Sequence, residues 1–112
     1  MARIARSDVE AAYFTLLRAR EKVSALRRYG DFLEHERLRL QRFVAEGDAL
    51  DAHVDPKLRR ALLHTDRLLG DVLKVRHETI ADELGRLDER IAAAEAFVGE
   101  CEEEHEALRS AS

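Results

Sequence analysis

Residues 80–101 read IADELGRLDERIAAAEAFVGEC. Apolar side chains recur at Ile80, Leu84, Leu87, Ile91, Ala94, Val98 and Cys101, in alternating steps of four and three. That spacing lays them along one stripe of an α-helix, at the a and d positions of a heptad. The series continues in phase both ways, through Leu63, Gly70, Leu73 and His77 on one side and His105 and Leu108 on the other. A second series holds Val9, Ala12, Leu16, Ala19, Val23, Leu26, Gly30, Leu33, Arg37, Leu40 and Val44. Between the two lies Pro56, the only proline of the chain. Two long amphipathic helices with a proline-marked corner predict an all-α fold, an antiparallel coiled-coil helical hairpin. As a dimer it would make a four-helix bundle.

Local signals place the boundaries of this single 1–112 domain. Ser7-Asp8-Val9-Glu10 has the form of a capping box, so helix one should start near residue 7. Gly47 is a natural left-handed stop, which ends it near 46 and leaves 47–56 as the corner. Gly30 interrupts helix one, but the heptad stays in phase across it. The reading is one helix with Gly30 as its point of bending; a seam glycine would also let the second helix approach closely. Asp55-Pro56 reads as an N-cap carboxylate followed by proline at N1, opening helix two over about 57–109. A short corner returns the chain antiparallel. It predicts Leu16 near Leu87, Val23 near Ile80, Leu33 near Leu69 and Val44 near Leu58.

Composition agrees. Of 112 residues, 38% are charged and 5% aromatic, with no tryptophan, which fits long solvated helices around a thin seam and not a mixed fold. The net charge of −4 is unevenly spread. Residues 1–46 carry 10 basic and 7 acidic side chains, and residues 76–112 carry 4 and 11. An antiparallel hairpin sets the basic helix beside the acidic one, whereas a parallel pair would lose that match. The single cysteine, Cys101, falls on the seam and reads as a buried reduced thiol. Met1–Arg6 lacks the apolar core of a signal peptide, and no stretch reaches the length of a membrane span, so the cytoplasm is the expected compartment.

Apolar side chains exceed what one seam uses. Ala25, Tyr29, Phe32 and Phe43 form a second stripe on helix one; Leu58, Leu62, Leu69 and Val72 do so on helix two, with Leu68 and Val75 farther round. A wider apolar arc implies another layer, either a second copy of the chain or a different protein. Tyr29, Phe32, Phe43, Leu58, Leu62, Leu69 and Val72 are therefore the candidate partner-binding residues.

Chemistry is thinly represented. Glu102-x-x-His105 is half of a di-iron helix motif, but no other histidine has a glutamate three residues before it, so no metal is expected. His77 reads as a packed histidine bonded to a carboxylate. Glu102-Glu103-Glu104 with Glu106 reads as a solvated acidic end. No phosphate loop, catalytic triad order or zinc spacing is present, and the arginines interleave with acids, which speaks against nucleic acid. The expected function is non-catalytic protein interaction without a cofactor. The alternative is structural: a self-associating coil, a secretion chaperone or a scaffold.

Val23-Ser24-Ala25-Leu26-Arg27-Arg28, on a long antiparallel coil, resembles the helical-hairpin anti-sigma factors of actinobacteria. In that family a helix carries Glu-x3-Ser-x2-Arg-x3-Gln-x3-Asp, a motif that binds cyclic-di-GMP. Ser24 and Arg27 match it, while Arg20, Asp31 and His35 stand at the Glu, Gln and Asp positions. The resemblance implies a sigma factor as the partner. The departures imply that the nucleotide is not needed: Arg20 removes a carboxylate acceptor, and Asp31 puts an anion where a phosphodiester would lie.

Overall fold

A computed structural model describes the backbone of residues 4–51 and 55–112 and the side chains of 4–45, 55–58 and 67–112. Helix α1 spans Arg6–Asp51 and helix α2 spans Pro56–Ala111. No strand occurs among the described residues. The all-α hairpin expected from the spacing is the fold.

The start of α1 differs from the capping box expected at Ser7. The Asp8 carboxylate accepts the amide of Ala5 at 3.3 Å, and the Asp8 amide bonds the Ala5 carbonyl at 3.0 Å. Ala5 thus stands at the cap, and Asp8 does the reaching back that was expected of Glu10. Glu10 is drawn instead to Arg6, at 3.2 Å. At the other end α1 continues through Gly47 to Asp51, five residues beyond the expected stop. Glycine costs a helix about 1 kcal/mol, and Ala49 and Leu50 just beyond it are good helix formers. The start of α2 is as read: Asp55 Oδ1 accepts the Lys57 amide at 2.9 Å, with Pro56 between them.

The packing divides into two units. Met1–Gly30 with Arg86–Ser112 form the first, and Asp31–Gly85 form the second. In the first unit the seam is well filled. Ala12, Leu16, Ala19, Val23, Leu26, Leu87 and Cys101 are buried, with Val9, Ile91, Ala94, Val98, His105 and Leu108 half-buried. Leu16, Ala19 and Cys101 pack as one cluster with Val98 against it. Gly30 earns its place on the seam as expected, because a β-carbon there would sit 2.9 Å from Leu87 Cδ2. At Gly85 and Gly99 nothing lies within 4 Å of that position, so no close packing offsets the cost of either glycine. In the second unit only Leu33, Leu40 and Ile80 are buried among the described residues. Leu73, His77 and Leu84 are half-buried, and the seam residues Val44 and Gly70 are exposed.

The residues on the seam are those expected, but their pairing is not. Leu16 meets Cys101, fourteen residues beyond Leu87. Val44 shares a groove with Gly70 and Leu73, well past Leu58. The first displacement is two whole heptads, and a slip by whole heptads leaves the same side chains facing inward. Periodicity alone therefore does not choose among such registers.

Ion pairs follow the observed register. In the first unit Arg20 bonds Glu102 at 3.3 Å and Arg27 bonds Glu95. In the second, Arg76 bonds Glu36 at 2.9 Å. Basic side chains of α1 do meet acidic ones of α2, as the charge gradient predicts. The partners of Arg20 and Arg27 are Glu102 and Glu95, in the C-terminal part of α2. Glu102 is accordingly an interhelical partner and not part of a free acidic tail.

Candidate interaction surface

Counting heptads from the seam gives each helix two flanks. Position e borders one side and g the other, with b and c beyond them; in an antiparallel pair e meets e and g meets g. Arg20, Arg27, Glu95 and Glu102 all stand at e, whereas Glu36 and Arg76 both stand at g.

In the second unit the exposed aromatic side chains gather on one side. Its described e positions hold Glu34, Gln41, Arg67, Lys74 and Ala81. Its described g positions hold Glu36, Arg76 and Glu83 and, one heptad from the Glu36–Arg76 bridge toward the corner, Phe43 and Leu69, both exposed. The adjoining c positions hold Phe32 and Val72, 57% and 63% exposed. Leu58, also at c, and Leu68 and Val75 behind it are exposed too. Within one unit three large apolar residues are buried while many stand in water on the g and c side. Monomeric proteins rarely leave such a surface bare.

A polar clamp borders this face. Glu36 is held at once by Arg39 at 3.1 Å and by Arg76 at 2.9 Å, and its side chain is only 12% exposed. Two guanidinium groups offset the cost of covering that carboxylate. Sequence reading missed the clamp, although an i,i+3 Glu–Arg pair at positions 36 and 39 is visible in the chain. It also missed Leu38, which is exposed.

Of the seven expected partner-binding residues, Phe32, Phe43, Leu58, Leu69 and Val72 lie exposed in this unit. Tyr29 belongs to the first unit, at a g position. Leu62 lies outside the residues whose side chains are described.

The positions matching the nucleotide motif are divided. Arg20, Ser24 and Arg27 line a shallow groove on the e side of the first unit, together with Val23, Glu95 and Val98. Asp31 and His35 fall in the second unit, both exposed. Arg20 and Arg27 are each engaged by a glutamate, and Glu95 itself lines the groove. An anion entering there would have to displace that carboxylate.

His77 and His105 have packing roles. His105 lies 5.5 Å, ring to ring, from Tyr13, while Glu102 is turned to Arg20, so the two do not converge. His77 lines an apolar groove with Leu40, Val44, Gly70 and Leu73, and no carboxylate bonds it among the described residues. No group of three metal-ligating side chains occurs among the described residues. No helix among them is long and apolar enough to cross a membrane.

Comparison with protein-family models, with curated proteins and with solved structures finds no match to this chain. The fold and surface define its class as a helical-hairpin coiled coil with an exposed apolar face.

Proposed function

We propose that this chain is a non-catalytic interaction module that sequesters a protein partner on the g and c side of the Asp31–Gly85 unit. One observation carries the reading: Phe32, Phe43, Leu69 and Val72 are exposed together on one side of the unit. An amphipathic helix of the partner would cover these side chains. It would find in the Glu36 clamp a fixed polar border that sets its register. The resemblance of Val23–Arg28 to helical-hairpin anti-sigma factors names the partner class, a sigma factor. The engagement of Arg20 and Arg27 by Glu102 and Glu95 supports a module that does not require cyclic-di-GMP.

The test is binding of the purified chain to purified sigma factors, with and without cyclic-di-GMP. One sigma factor should bind the wild type with or without the nucleotide. Phe32→Asp and Leu69→Asp should abolish binding while circular dichroism shows unchanged helicity. Absence of binding to every sigma factor, or binding that survives both substitutions, would overturn the proposal.

A further inference from the structure

The g side of the first unit carries a charge arrangement that the chain does not satisfy by itself. Within the first unit Leu16 packs with Cys101 across the seam, and the g positions beside that pair are Thr15 and Phe97. One heptad to either side of them completes three successive g layers in this unit. The layer nearest the helix ends is Asp8 with Glu104, both acidic. The next is Thr15 with Phe97, and the third is Lys22 with Arg90, both basic. The structure agrees with this assignment: Asp8, Thr15 and Glu104 line one groove, and Thr15, Lys22, Arg90 and Phe97 line the next.

Like charges at facing positions are destabilising. Among the described residues Lys22, Arg90 and Glu104 take part in no ion pair, whereas the e side of the same unit is correctly matched at Arg20–Glu102 and Arg27–Glu95. The mismatch is thus confined to one side, and it is symmetric. The acidic and basic layers lie one heptad to either side of Thr15 and Phe97, about 10 Å along the helix in each direction. A two-fold axis through that central layer exchanges them. It brings the Lys22–Arg90 layer of each copy onto the Asp8–Glu104 layer of the other. It also sets Phe97, which is 49% exposed, against its own counterpart.

We infer that two copies of this chain associate through the g side of the unit formed by residues 1–30 and 86–112, related by a two-fold axis at Thr15 and Phe97. Such an interface is isologous: one patch with complementary halves serves both partners. It is separate from the apolar face assigned to a sigma factor, so either proposal stands or falls without the other.

Sedimentation equilibrium with charge-reversed chains tests it. The wild type should be a dimer that weakens as salt is raised. Lys22→Glu with Arg90→Glu should raise the dimer dissociation constant at least about tenfold, because all four charged layers become acidic. Glu104→Arg should weaken the dimer as well; Asp8 is left in place because it caps α1. Mixed together, the two variants should form a heterodimer tighter than either homodimer. Phe97→Asp should also dissociate the wild-type dimer. Circular dichroism on each variant separates loss of association from loss of folding. A wild type that stays monomeric up to about 0.1 mM would overturn the inference. So would a dimer indifferent to the charge reversals, or one dissociated only by Phe32→Asp.

Discussion

Gly30 of α1 and Leu87 of α2 fit together without room for a methyl group, since a β-carbon on Gly30 would come within 2.9 Å of Leu87 Cδ2. Leu87 is only 3% exposed, so its side chain has little space to turn into. Alanine at position 30 gains about 1 kcal/mol of helix propensity, but overpacking costs about 1–3 kcal/mol. Gly30→Ala should therefore destabilise the chain by about 1 kcal/mol in urea unfolding. In a Leu87→Ala background the same substitution should stabilise by about 1 kcal/mol, and the sign change measures the coupling.

Gly85 and Gly99 present the opposite case, with open space where a β-carbon would go. Gly85→Ala and Gly99→Ala should each add about 1 kcal/mol and raise the melting temperature by about 4 °C, measured by thermal circular dichroism. No change at either position would mean that the glycine meets something in solution that the hairpin alone does not supply, such as a second chain.

Burial separates two kinds of apolar residue. Leu16, 4% exposed and packed on Cys101 and Ala19, should cost about 2–3 kcal/mol when cut to alanine. Phe32→Ala and Val72→Ala should change the stability of the unbound chain by less than about 0.5 kcal/mol, because both side chains already stand in water. Urea titrations of the three variants give the comparison directly. A large loss at Phe32 or Val72 would show that these side chains are covered in the free protein.

Cys101 is buried against Leu16 and Ala19. A thiol reagent should modify it slowly in the folded chain and at the rate of a free thiol in denaturant. Cys101→Ala should cost less than Cys101→Ser, since serine leaves a hydroxyl among apolar neighbours. Fast labelling under native conditions would mean that the two helices separate readily at this level.

The seam was legible in the sequence almost residue by residue. Positions recurring by threes and fours, from Val9 to Leu40 and from Leu73 to Leu108, are the buried or half-buried ones, and only a few residues off the seam join them. The cap at Asp55 was legible because a carboxylate before proline has one common use. Register was not. Leu16 against Leu87 and Leu16 against Cys101 satisfy the same spacing, and only contacts between the helices tell them apart. Gly30 under Leu87 and Arg27 beside Glu95 are such contacts. The candidate surface was half legible. Surplus apolar residues announced that a face exists, but which side of which unit they occupy follows only once Glu36 is seen to meet Arg76.

The two-heptad displacement also bears on how this chain tolerates changes of length. Removing or adding seven residues in α2 would move every later side chain along its axis by about 10 Å yet keep it pointing the same way. Removing four would turn the whole remainder and bring charged side chains inward. Viable length variants of this hairpin should therefore come in sevens.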